Sequence, residues 1–161
     1  MIHVASRQQV ESLVMSMDSN ESLHANGAII KNSAIFERFN VVSLLDSGLA
    51  SPFIHSIYTE NPKNLFTLHV EDVHPGSGHD VQFRCFTKDD ATRFLRWLSK
   101  IDCQKDFLVH CWAGISRSGA FGQFLAEYLR HDMQEFHANN PSIKPNKWIL
   151  KTLRMTARSY V

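Results

Sequence analysis

The residues best suited to chemistry lie in one short stretch, residues 110–119, with the sequence HCWAGISRSG. Cys111 follows an apolar run that predicts a buried strand, and a helical pattern begins after Arg117. In such a loop the backbone N–H groups point inward and the helix N-terminus adds positive potential, so the loop should bind an anion. The same groups would hold Cys111 as its nucleophilic thiolate.

The neighbours of Cys111 suit a phosphate group. Arg117 can bind two phosphate oxygens with its planar guanidinium. Gly114 allows backbone turns that a side chain would obstruct. Ser118 can donate a hydrogen bond to the sulfur and ease its departure when a covalent intermediate breaks down. The stretch therefore predicts a cysteine nucleophile facing a phosphate site, against the simpler alternative of a structural cysteine beside a surface arginine.

The rest of the sequence predicts strands and helices that would position this loop. Apolar runs bounded by turns predict strands at Phe39–Leu45, Leu65–Val70 and Phe107–His110. Helical spacing or capping residues predict helices after Ser6, after Thr87, around Phe121–Leu129 and after Asn146. This alternation predicts a single three-layer α/β domain, with a central, mostly parallel sheet of about four or five strands flanked by helices.

Composition limits the class of protein. A chain of 161 residues suits one domain, and a net charge of +1 argues against a dedicated nucleic-acid binder. The N-terminus lacks the pattern of a signal peptide, and no apolar run is long enough for a membrane span. Three cysteines without a C-x-x-C pair argue against a disulfide framework or zinc cluster. We therefore expect a cytoplasmic monomer.

The stretch HCWAGISRSGA resembles the active-site loop of the cysteine-dependent protein tyrosine phosphatases, in their small dual-specificity-like branch. The segments VVSLLDSG, LHVEDVHPG and NNPSIKPNKWIL resemble compact bacterial and phage tyrosine phosphatase-like proteins. The resemblance covers roughly residues 40–150, and residues 20–36 and 49–64 contribute nothing to it. It implies phosphatase activity.

The resemblance also implies roles for the loop residues. Cys111 would attack phosphorus to form a phosphocysteine intermediate, Arg117 would stabilise the charge on the phosphoryl group, and His110 would orient the loop and tune the thiolate. Neither a metal ion nor an organic cofactor would be needed. Trp112 is expected either to pack in the core beneath the loop, which we favour, or to line the rim of the site. The loop residues expected to bind the substrate are Trp112, Ala113, Gly114, Ile115, Ser116 and Arg117.

Such a mechanism also needs a carboxylic acid to protonate the leaving oxygen and later activate water. The resemblance places it on the loop after the preceding strand, where Asp72 follows the sequence LHVE. Asp80, in the glycine-rich segment HPGSGHD, is the first alternative, and Glu71 is another.

Basic residues recur at helical spacing near the C-terminus, and no acidic residue follows Glu135. On a helix they would form one basic stripe: Lys144, Lys147, Lys151, Arg154 and Arg158. This stripe predicts either a solvated face or a docking surface for an acidic phosphoprotein, nucleic acid or lipid head group.

Four functions stay open at this stage. The first is a phosphatase acting on phosphotyrosine in proteins or peptides, with phosphoserine and phosphothreonine as further candidates. The uncharged side chains of Trp112, Ala113 and Ile115 argue against inositol lipids, because the lipid phosphatases resemble each other in carrying lysine there. The second is a phosphatase of RNA 5′ ends or small phosphate esters. The third is a non-catalytic phosphate-binding module, and the fourth is sulfur transfer.

Overall fold

A computed structural model describes residues 1–17, 33–46, 62–80 and 82–160. Within these ranges four strands form one sheet in the order β1-β4-β2-β3, and every neighbouring pair is parallel. The strands are β1 (Ile2–Ser6), β2 (Phe39–Leu45), β3 (Leu65–His69) and β4 (Asp106–Cys111). The predicted central parallel sheet is therefore confirmed, with four strands in the described part of the chain.

The two central strands are mostly apolar because both of their faces are covered. Every residue of β2 is buried, as is every residue of β4 after Asp106. The carboxyl ends of the strands share one edge of the sheet, where Cys111 aligns with Ser6 of β1. Ligands of open parallel sheets bind outside this edge, so the strand order places Cys111 between neighbours that can supply further groups.

Six helices complete the described elements. They are α1 (Arg7–Met17), α2 (Ser33–Arg38), α3 (Lys88–Leu98), α4 (Arg117–Tyr128), α5 (Met133–Asn139) and α6 (Lys147–Arg158). Two separate apolar clusters show that they cover both faces of the sheet. Val41 and Leu108 pack with α1 and α2, whereas their chain neighbours Val42 and Val109 belong to the larger cluster with α3, α4 and α6. Successive strand residues point to opposite faces, so the predicted three-layer fold is confirmed.

The predicted helix starts are correct where capping residues mark them. Gln9 Oε1 accepts the Ser6 N–H at 2.7 Å, and Ser6 Oγ accepts the Gln9 N–H at 3.2 Å. Thr87 and Asp90 form the same reciprocal pair at the start of α3. Asn146 Oδ1 accepts two N–H groups in the first turn of α6. Each cap satisfies N–H groups that have no partner inside the helix.

Some elements differ from the sequence prediction. The helices α2 and α5 were not predicted, because six and seven residues are too few to establish a periodic pattern. Lys144 precedes α6, so it is not part of the helical stripe that was predicted to include it. The sequence DSG also predicts a turn at residues 46–48, of which 47 and 48 lie outside the described ranges. Among the described residues, no helix is long and apolar enough to cross a membrane.

Candidate active site

The loop between β4 and α4 is shaped by its contact with β1. Gly114 has φ +73°, a conformation that residues with side chains rarely adopt. A Cβ atom there would lie 2.4 Å from the backbone nitrogen of Ser6 and 2.5 Å from the backbone carbon of Ala5. Backbone cannot move aside as a flexible side chain can. The loop therefore packs against the end of β1 at a distance that requires glycine.

Cys111 lies at the base of this loop and is 3% exposed. Its Sγ accepts the Gly114 N–H at 3.3 Å and lies 3.1 Å from Ser118 Oγ. Burial raises the pKa of the Cys111 thiol, but the Ser118 hydroxyl and amide, the Arg117 charge and the Gly114 amide together hold it below its usual value. These groups favour the thiolate, the nucleophilic form of a cysteine side chain.

Arg117 begins α4 and is 6% exposed. Its Nη1 donates to the carbonyl oxygen of Val70 at 2.7 Å and lies 2.7 Å from Asp46 Oδ1. The guanidinium is thus held by residues that follow β2 and β3, the two strands beyond β4. Asp46 was predicted only as part of a turn. Its position directly after a buried parallel strand is the signal that could have assigned it to this site.

Asp72 lies against the cysteine loop. Its Oδ1 accepts a hydrogen bond from Ser116 Oγ at 2.8 Å and another from Asn146 Nδ2 at 2.7 Å. Asp80 is directed elsewhere, since its Oδ2 accepts the Gly76 N–H at 2.7 Å, and this bond lowers the pKa of the Asp80 carboxyl. Glu71 is tied by its backbone N–H to the carbonyl oxygen of Arg84. The structure therefore joins Asp72 to the loop of Cys111.

His110 precedes the cysteine and is 1% exposed. Burial, with a smaller contribution from the Arg7 charge, lowers the pKa of His110 from 6.5 to about 3. The imidazole is therefore neutral at physiological pH. It can orient the loop by hydrogen bonding, but it adds no positive charge beside the thiolate.

The favoured prediction that Trp112 packs in the core is wrong, because this residue is 65% exposed, which agrees with the alternative position at the rim. The space beneath the loop is filled by the end of β1, and the Trp112 carbonyl accepts the backbone N–H of Arg7 at 3.2 Å. The Arg7 guanidinium lies 5.9 Å from the centre of the indole ring. Ile115 is 37% exposed and Ala113 is also exposed, so the rim of the loop is uncharged and partly apolar.

The segment before α6 packs on the same loop. The Lys144 N–H donates to the Ile115 carbonyl, and the Asn146 N–H donates to the Ser116 carbonyl, both at 3.1 Å. Asn146 was predicted only as a helix cap, so its contact with Asp72 was missed. The available signal was the segment NNPSIKPNKWIL, whose resemblance to the tyrosine phosphatase-like proteins gave it neither a position nor a role at the site.

The basic stripe is partly neutralised. Arg154 donates to Glu127 of α4 through Nε at 2.8 Å and through Nη2 at 2.5 Å. Lys147, Lys151 and Arg158 are exposed on α6. The stripe predicted from the sequence therefore offers fewer unpaired charges on the helix than its composition indicated.

The hydrogen-bond donors and the positive charge around Cys111 suit a bound anion. The amides of Gly114 and Ser118 and the Arg117 charge all act on the Cys111 sulfur, so a group placed there is stabilised when it is negative. Within the described ranges, His, Cys, Asp and Glu side chains form no cluster that could hold a metal ion.

No protein-family model matches the chain, and no curated protein matches it. Among solved structures, the chain is similar to one described as "Crystal structure of Tk-PTP in the active form", with 16% sequence identity and a TM-score of 0.46. The similarity covers 77% of this chain and 82% of that chain. At this TM-score the likeness supports no conclusion about activity, which has to come from the groups around Cys111.

Proposed function

We propose that the protein is a cysteine-dependent phosphatase that hydrolyses phosphotyrosine in proteins or peptides through a phosphocysteine intermediate. The observation that carries this proposal is the setting of the Cys111 sulfur, 3.3 Å from the Gly114 nitrogen and 3.1 Å from Ser118 Oγ. Arg117 is buried at the other end of the same loop. A structural cysteine would need none of these groups.

In the first step the Cys111 thiolate attacks phosphorus, and an S–P bond forms as the P–O bond to the leaving group breaks. Arg117 and the loop amides stabilise the charge that develops on the phosphoryl oxygens. Protonated Asp72 gives its proton to the leaving oxygen, so the alcohol departs neutral. The step ends with phosphocysteine and the Asp72 carboxylate.

In the second step the Asp72 carboxylate removes a proton from water, and the water oxygen attacks phosphorus. The S–P bond breaks and inorganic phosphate leaves. The departing sulfur regains its negative charge, which the Ser118 hydroxyl at 3.1 Å stabilises by a hydrogen bond. Asp72 is protonated again, and the enzyme returns to its starting state.

The rim of the loop supports an aryl phosphate as substrate. Trp112 and Ile115 are exposed apolar side chains, and Ala113 between them is small and exposed. A phosphotyrosine ring can pack on such a rim, whereas a polyphosphorylated inositol head group would gain no cation from these three side chains. Phosphotyrosine is therefore the substrate proposed first, ahead of phosphoserine, RNA 5′ ends and lipids.

The proposal is tested by turnover of para-nitrophenyl phosphate and of a phosphotyrosine peptide. We expect Cys111→Ser to lose roughly 10⁴-fold or more in kcat, as nucleophile removal does in other covalent enzymes. Arg117→Lys should lose roughly 10²-fold, because an ammonium cannot replace the planar guanidinium. Cys103→Ser, at the partly buried turn after α3, is the matched control and should keep full activity.

Acid quenching of the wild type during turnover should trap phosphate on Cys111. Absence of turnover in the wild type with Cys111 reduced would overturn the enzyme proposal. Tight phosphopeptide binding without turnover would identify a binding module instead. A panel that also contains a phosphoserine peptide, a 5′-phosphorylated RNA and a phosphoinositide vesicle would show which ester is preferred.

A further inference from the structure

We propose that Asn146 is a positioning residue that holds the general acid Asp72 over the cysteine loop. This inference rests on the proposed function and deepens it. Asn146 Nδ2 donates to Asp72 Oδ1 at 2.7 Å, and Ser116 Oγ donates to the same oxygen at 2.8 Å. Asn146 and Ser116 are the N-cap residues of α6 and α4, so the starts of two helices converge on one carboxylate oxygen.

The orientation of the Asn146 amide is fixed by the helix that it caps. Its Oδ1 accepts the N–H groups of Trp148 and Ile149, each at 3.0 Å. A cap must present an acceptor to these N–H groups, so the amide nitrogen has to face the other way, toward Asp72. Helix α6 is anchored in turn by Ile149, which is fully buried.

A second connection makes the arrangement rigid. The Asn146 backbone N–H donates to the Ser116 carbonyl at 3.1 Å, so the two residues that hold Asp72 are also joined to each other. Asp72, Ser116 and Asn146 therefore form a closed ring of hydrogen bonds. The ring links the acid to the loop that begins at Cys111.

This ring also distinguishes the two carboxylate oxygens. Oδ1 of Asp72 accepts two hydrogen bonds, one from Ser116 and one from Asn146. An oxygen that already accepts two donors is a poor place for a proton. The proton for the leaving group therefore resides on Oδ2. Asn146 thus selects the oxygen that acts as the acid, in addition to holding the side chain in place.

The test uses substitutions that remove the donor and leave the start of α6 nearly as stable. Aspartate caps helices about as well as asparagine and glycine only slightly worse, so Asn146→Gly and Asn146→Asp should melt within about 2 °C of the wild type. Neither can donate to Asp72 as the amide does, and aspartate adds a like charge beside it. For an aryl phosphate with a poor leaving group we expect kcat/KM to fall about tenfold, a fraction of the total worth of a general acid.

The decisive readout is the dependence of kcat/KM on the leaving group. A good leaving group needs little protonation, so its rate should change less than about twofold, and the dependence on leaving-group basicity should steepen. A partly unfolded sample lowers all rates equally and leaves this slope unchanged. Asp132→Ala, which removes the corresponding cap of α5, should destabilise the protein without altering the slope.

An unchanged slope in both Asn146 variants, with an active wild type, would overturn the positioning role and leave the proposed phosphatase standing. Equal losses for good and poor leaving groups would overturn it as well. No turnover by the wild type would overturn both proposals together. A steeper slope in Ser116→Ala, with a double variant that adds little to either single one, would support a shared ring of hydrogen bonds.

Discussion

Two loops leave the same edge of the sheet and are built in opposite ways. The loop after β4 begins and ends at buried side chains, Cys111 and Arg117, and its glycine packs directly on the backbone of β1. The loop after β3 is largely exposed, and added Cβ atoms at Gly76 and Gly78 would meet nothing within 4 Å. The proposed nucleophile is thus placed by the core and the backbone, whereas the proposed acid is placed by side-chain hydrogen bonds.

Because the two loops are held differently, substitutions in them should affect catalysis differently. A change in the loop after β4 should slow the reaction of every substrate, because the same backbone holds the Cys111 sulfur and, in the proposed reaction, the phosphoryl group. A change at Asp72 should lower the rate most for the leaving groups that most need protonation. The following predictions test that separation.

Among the variants that test this separation, the largest effect is expected from Asp72→Asn, which keeps the side-chain shape but cannot supply a proton. For substrates with poor leaving groups we expect kcat to fall by about 10²–10⁴-fold, the usual contribution of a general acid. Good leaving groups should lose far less. Asp80→Asn is the matched control and should leave the rates unchanged, since Asp80 accepts a hydrogen bond within its own loop. Equal losses in the two variants would show that Asp72 has no special role.

Gly114→Ala should come next, with a loss of about 10²-fold for good and poor leaving groups alike, because a displacement of about 1 Å in a reacting group has that cost. The added Cβ would overlap the backbone of Ala5 and Ser6, so the loop must shift. Gly76→Ala has the same kind of positive φ in open space and should cost some stability and no activity. Steady-state kinetics with melting temperatures for both variants checks the contrast. Wild-type kinetics in Gly114→Ala would contradict it.

Ser118→Ala should have a smaller, pH-dependent effect. The Ser118 hydroxyl is one of the groups that lower the pKa of Cys111, so its removal raises that pKa. Less thiolate is then present at acidic pH, and the acidic limb of the kcat/KM profile moves to higher pH. Below that limb we expect a loss of about tenfold, the worth of a hydrogen bond to a charged group. The rate of iodoacetamide alkylation against pH measures the same shift without turnover. An alkylation profile that does not shift would show that the Ser118 hydroxyl does not lower the pKa of Cys111.

The smallest effect is expected on the surface of α6, away from both loops. Replacing Lys147, Lys151 and Arg158 by Gln removes exposed charges and leaves the Arg154–Glu127 pair intact. If this face docks an acidic phosphoprotein, KM for an acidic phosphopeptide at low salt should rise about twofold to threefold, since exposed charges are weak and screened. The rate with para-nitrophenyl phosphate should not change. A KM that is independent of both salt and the substitutions would identify a merely solvated face.

The sequence predicted the loop after β4 well because its determinants are contiguous. The strand, the turn glycine and the helix start all lie within a few residues of Cys111, so spacing alone could relate them. Asp72 was placed through the resemblance, and its hydrogen bonds to Ser116 and Asn146 agree with a position beside the loop. Its catalytic role stays a proposal.

Other features of the site depend on contacts between residues far apart in the sequence, and local sequence patterns do not predict such contacts. Asp46 meets Arg117 because β2 and β4 are neighbours in the sheet, and Asn146 meets Asp72 because the segment before α6 folds back over the loop. The sequence left Trp112 either in the core or at the rim of the loop, with the core favoured. Its position depends on the backbone of β1 already filling that space.

The contacts of the loop also determine when during synthesis it can form. Ser6 lies against Gly114, and the backbone of Lys144 and Asn146 holds the carbonyls of Ile115 and Ser116. A nascent chain that has reached Cys111 still lacks the segment that completes the pocket. Because domains fold as units once their partners are available, the loop reaches its final geometry only after residues 140–146 have been made. If Cys111 is the nucleophile that we propose, its setting is completed late, when the surrounding fold can already restrict what reaches it.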